Sequence, residues 1–132
     1  MIDYEDAIFN AASSALRAEF PTIKIVGVEL TSDPSQFPAV SIVQTNSKID
    51  KRYSTFEKID NVASEEYKVD AYSNLESQKD AKKQTKRIIA IVDGVMANLE
   101  FIRTFCQPIP SADAKTTRRV ARYIKTNVVQ ED

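Results

Sequence analysis

The stretch AYSNLESQKDAKKQTKR, residues 71–87, changes its periodicity partway along, and the fold turns on that change. It begins as the end of a strand. In VASEEYKVDAY (62–72), Tyr67, Val69 and Ala71 alternate with Glu66, Lys68 and Asp70, the pattern of a half-buried antiparallel strand. SNLE follows as a turn. Ser77 and Asp80 then make an S-x-x-D start of capping-box type, in which the serine oxygen accepts from an otherwise orphaned backbone N–H. From there the spacing predicts a helix to about Asn98. At about 100° per residue, Lys79, Lys82, Lys83, Lys86 and Arg87 fall on an arc of about 140°. Ala81, Ile88, Ile89, Ile91, Val92, Val95, Met96 and Leu99 take the opposite arc, which must face a sheet.

The lysines allow two readings, a site for a polyanion such as DNA or the wet side of an amphipathic helix. A charge run is usually the latter, and neither aromatic interleaving nor a nucleic-acid motif accompanies this one. Lys79, Lys82, Lys83 and Lys86 therefore stand as weak polyanion candidates. Further along the same face the side chains become small: Ala90, Gly94 and Ala97, with Asp93 among them. Glycine inside a helix is about 1 kcal/mol worse than alanine, so Gly94 points to close approach by a neighbour. Tolerated exposure is the plainer reading. The functional one makes Gly94 and Ala97 a subunit contact.

Upstream, residues 3–19 carry Ile8, Ala11, Ala12, Ala15 and Leu16 at helical spacing, with Asp3 as the expected N-cap and Pro21 as the stop. TIKIVGVEL (22–30) is a predicted strand with Gly27 a candidate bulge, TSDPSQFP (31–38) is loop chemistry, and AVSIVQT (39–45) is the next strand. NSKIDKRYSTFEKIDN (46–61) is polar but keeps spaced hydrophobes, and is expected to form an extended arm or long hairpin. Downstream, FIRTFCQPIP (101–110) and TTRRVARYIKTNVV (116–129) are predicted strands. The order is α-β-β-(arm)-β-α-β-β, which implies one α+β domain over 1–132, its mostly antiparallel sheet carrying two helices on one face.

Composition removes whole function classes. A chain of 132 residues without histidine and with one cysteine cannot build a disulfide staple, a usual zinc set, or a His-activated nucleophile. Its only glycines are Gly27 and Gly94, too few for a phosphate-cradling loop. No catalytic, cofactor-binding or metal-binding residue is assigned. Glu65, Glu66 and Asp70 form an acidic cluster, but on a strand Glu65 points away from the other two, and a solvated face is the simpler account. Cys106 is read as a small core residue. The net charge of −1 provides no global attraction for nucleic acid. The acidic start MIDYEDAIFN is unlike a signal peptide, and no apolar run approaches the ~18 residues of a membrane span. A soluble, cytoplasmic protein with no membrane partner is expected. Arg118 and Arg122 share one face of the last strand, Arg119 and Lys125 the other. These charges are expected to reach past the sheet edge or to meet acids of a neighbouring subunit.

IDYEDAIFNAASSALRAEFP, FPAVSIV, YKVDAYSN before a lysine-rich helix ending IVDGVMANLEF, RTFCQPIPSAD and RRVARYIKTNV occur in that order. In order and spacing they resemble the tail terminator, or tail-completion, proteins of long-tailed bacteriophages, often described as minor capsid or head–tail joining proteins. The resemblance spans nearly the whole chain outside 46–61. It implies a virion protein that assembles with itself into a hexameric ring, caps the head-proximal end of the tail tube, halts polymerisation of the tube protein, and docks the head-side connector. It implies no catalysis and no cofactor, and DNA that passes through the channel without being read. No catalytic residue can be carried over. For the heterologous contacts of a ring, the candidates are Arg52, Tyr53 and Phe56 of the arm, Gly94 and Ala97, and Arg118 and Arg122. The competing readings are a head-side adaptor or stopper, then a DNA-binding module using the two basic sets. An enzyme comes last.

Overall fold

Helix α1 (Glu5–Glu19) forms around Ile8, Ala12 and Leu16, four residues apart and fully buried. A stripe at that spacing faces one direction, and each large side chain contributes about 1.5–3 kcal/mol on burial. The N-cap expected of Asp3 lies outside the described residues, and the N-cap position is Tyr4, whose side chain makes no capping hydrogen bond. Its ring packs edge-on against Phe101 instead, centroids 5.5 Å apart. The computed structural model describes residues 4–28, 30, 34, 36–53, 59–109 and 115–131. Side chains are described within 4–28, 30, 34, 36–45, 64–109 and 115–126.

Strand β1 is Lys24–Val26, shorter than the nine residues expected, because it pairs in parallel with β2 only from Lys24↔Ala39 to Val26↔Ser41. Beyond it Gly27 sits in a bend rather than a bulge, where the Ser41 hydroxyl donates to the Val28 carbonyl at 2.8 Å. Strands β2 (Ala39–Tyr53) and β3 (Ile59–Ser73) pair antiparallel from Ala39↔Tyr72 to Tyr53↔Ile59, with one irregularity between Gln44 and Asn46. Pairing therefore continues through residues 46–53 and 59–61, so the two strands form one long ribbon.

Helix α2 (Gln78–Asn98) starts where Ser77 accepts from the Asp80 N–H at 3.4 Å. Its buried positions are Ala81, Thr85, Ile88, Ile89, Val92, Val95 and Met96. The exit is a Schellman turn: Glu100 N–H donates to Ala97 at 3.0 Å and Phe101 N–H to Met96 at 2.8 Å. Glu100 takes the left-handed conformation, φ 67°, that glycine usually fills there. This turn sends the Phe101 ring back under the helix, edge-on to both Tyr4 and Tyr67.

Strand β4 (Ile102–Ile109) is an edge strand beside β5 (Thr117–Glu131), and the sheet order is β1-β2-β3-β5-β4. All pairings but β1–β2 are antiparallel. Val40 and Ile42, Tyr67, Val69 and Ala71, and Ala121 and Tyr123 meet both helices in one core. The expected α+β architecture, with its element order, is the observed one. The carboxylate reading needs correcting. Glu65 shares the core-facing side with Tyr67 and is fully buried, receiving a 2.6 Å bond from the Gln44 amide. Asp70, on the opposite face, is also buried. A solvated strand face would have left both in water; the neighbouring strands cover them.

Candidate assembly surfaces

Lys79, Lys82, Lys83, Lys86 and Arg87 are all exposed along α2, as a charged face opposite a core stripe requires. Arg87 bridges to α1, its Nε 2.7 Å from Glu19 Oε2. That hydrogen bond holds the Glu19 carboxyl below the usual range and raises the Arg87 guanidinium in turn. Both groups are wet, so the pair registers the helices without adding much stability. Gly94 and Ala97 are exposed on the same helix. A Cβ built on Gly94 would meet nothing within 4 Å, so no packing inside this chain demands glycine there.

The face of the sheet away from the helices is laced with ion pairs between β3 and β5. Arg118 donates to Asp70 Oδ1 from Nε at 3.1 Å and from Nη2 at 2.9 Å, and lies over the Tyr72 ring. Lys68 approaches the other Asp70 oxygen at 3.6 Å. Arg122 reaches Glu66 Oε1 at 3.1 Å, where the Thr45 hydroxyl also donates. Asp70 is opposite Val120, and Glu66 opposite Ile124, so both arginines reach diagonally by two residues. These basic side chains thus find acids within their own sheet.

On the helix-facing side, Lys125 donates to the Leu99 carbonyl and Tyr123 donates to Asp93 Oδ1. The second Asp93 oxygen takes Arg103 Nη1 at 2.8 Å. Next to this pair an open groove of about 340 Å³ runs between α2 and the edge strand β4, reaching Arg119 on β5. Cys106, expected in the core, is half-buried along it. Sequence reasoning placed Arg119 on a strand but not in a groove, and it did not single out Arg103. Nothing local marks them, because their meeting depends on β4 pairing outside β5.

Arg52 and Tyr53 end β2, paired with Asp60 and Ile59. Phe56 lies outside the described residues. Among the described residues no group of three or more His, Cys, Asp or Glu could hold a metal ion. Nor is any helix among the described residues long and apolar enough to cross a membrane.

No family model matches the sequence, and no curated protein does. By structure, the chain is similar to a chain of the virion of a native gene transfer agent particle. The two share 12% identity and a TM-score of 0.56, over 90% of this chain and 92% of that one. At that identity the likeness is one of fold. A second, looser likeness is to the sheath/tube terminator of an extracellular contractile injection system in its extended state. It has 11% identity and a TM-score of 0.42, covering all of this chain and 59% of that one. At that score it carries no argument.

Proposed function

We propose that the protein is a structural component of a phage-like particle, a tail terminator. Copies close into a hexameric ring on the head-proximal end of the tail tube, end its polymerisation, and offer the opposite surface to the head connector. The observation that carries this reading is the nearly end-to-end overlap of its fold with a virion chain. The order of motifs along the sequence supports it independently. The subunit contacts are assigned to the 46–61 arm, through Arg52, Tyr53 and Phe56, and to the outer face of α2 at Gly94 and Ala97. DNA passes through the ring without sequence recognition.

Deleting the gene from the element that carries it tests the reading. Tubes of unregulated length and heads without tails are expected, both reversed by the wild-type gene. Tails of normal length joined to heads, or immunogold labelling of isolated heads rather than isolated tails, would overturn it.

A further inference from the structure

The α2–β4 groove holds more positive charge than its own chain balances. Lys86, Arg103 and Arg119 line it with a single carboxylate, Asp93. Both Asp93 oxygens are occupied, one by the Tyr123 hydroxyl and the other by Arg103. Lys86 enters no ion pair among the described residues. The Arg119 guanidinium is the least satisfied. Its Nε is shut off from solvent without a hydrogen-bond partner, and Nη1 has only the Cys106 sulfur, at 4.0 Å. A guanidinium carries five N–H donors fixed in a fork that matches a carboxylate. Leaving such a group part-buried with no oxygen acceptor is unfavourable, and the remedy is an anion from outside.

We propose that this groove is a socket for a carboxylate side chain of a second copy of the chain, gripped by Arg119 with Lys86 beside it. Charge complementarity identifies the occupant. The chain is nearly balanced, with 18 basic and 19 acidic residues, so a cationic surplus in one groove leaves acids unmatched elsewhere on the same molecule. Asp6, Glu76 and Asp80 are exposed and enter no ion pair among the described residues. Groove and acid are different patches on one subunit, which makes the contact heterologous and lets it propagate from copy to copy. The inference deepens the ring reading and rests on it. It adds the residue that grips and the chemistry gripped.

The test is sedimentation velocity of the whole chain, wild type against Arg119→Met and Lys86→Glu, at about 50 mM and about 500 mM NaCl, where the screening length differs about twofold or more. Lys86 is exposed on α2, so its variant folds even if Arg119→Met does not. The wild type is expected to self-associate more weakly at high salt. Each variant should raise the dissociation constant about tenfold or more, the scale of a lost charged hydrogen bond. A wild-type chain that stays monomeric at both salts, or variants within about twofold of wild type, overturns the proposal. Either result leaves the tail location to be judged by gene deletion. Absence from tails, conversely, would sink the function while leaving the groove contact measurable.

Discussion

The Lys125 ammonium donates to the Leu99 carbonyl at 2.8 Å, closing the C-terminal end of α2 with a cation supplied by β5. It lies 4.5 Å from the centroid of the Tyr4 ring, so one side chain ties both helices to the sheet. A cation at this end of a helix meets its partial negative charge and an orphaned carbonyl. Lys125→Met should therefore lower unfolding free energy by about 1–2 kcal/mol, since a part-buried acceptor loses its donor. Urea denaturation checks this; an unchanged midpoint would show that the cap is idle.

Asp70 is buried beneath Arg118 and Lys68. Asp70→Asn removes the anion that Arg118 and Lys68 both face, which should destabilise by about 2–3 kcal/mol. That is less than a wholly buried pair would lose, because Arg118 retains some solvent. A double-mutant cycle with Arg118→Met isolates the pair, and additivity would refute the coupling.

Burial holds the Tyr123 hydroxyl well above its ordinary ionisation range, and the bond to Asp93 raises it further. Unfolded tyrosine ionises near about pH 10, so above that pH the unfolded chain sheds a proton that the folded chain keeps. This contribution is fully present below about pH 10 and declines by up to about 1.4 kcal/mol per unit above it. The stability of Tyr123→Phe should fall less steeply between about pH 9.5 and pH 11; equal slopes would contradict the assignment.

Glu100 occupies a left-handed position at φ 67°, where a side chain is disfavoured by about 1–2 kcal/mol. Its contact with Lys125 is long, at 3.8 Å, and Glu100 itself is exposed. Glu100→Gly should stabilise the fold by about 1 kcal/mol. Thermal unfolding would disprove this by showing no rise in the midpoint.

For the proposed ring, the triple variant Arg52→Glu, Tyr53→Ala, Phe56→Ala should prevent oligomer formation and fail to rescue tail assembly. Wild-type oligomers together with full rescue would remove the 46–61 arm from the interface.

The legibility of the sequence follows the range of the forces involved. Helix α2 was readable end to end, since its cap, its core stripe and its wet face are set by residues within a few positions of each other. Glu65 was not. The alternation puts it on the side of Tyr67, but that the core reaches as far along the strand as residue 65 is settled only by the pairing with β2 and β5 and by the Gln44 amide that donates to it. Arg118 and Arg122 looked like charges in need of outside partners because Asp70 and Glu66 are 48 and 56 residues away in sequence. The groove was hidden for the same reason. Asp93, Arg103 and Arg119 meet only because the chain crosses from β3 through α2 to the far side of β5.

Strands β2, β3 and β5 each contain 15 residues, about 50 Å of paired backbone. The helices above them span about 22 Å and about 32 Å. The sheet therefore overhangs its helices like a cantilever, a beam three strands wide anchored at one end in the core. Such a beam sets a spacing: whatever its tip engages is held about two helix diameters from the body, at a distance fixed by hydrogen-bonded register rather than by a tether's slack.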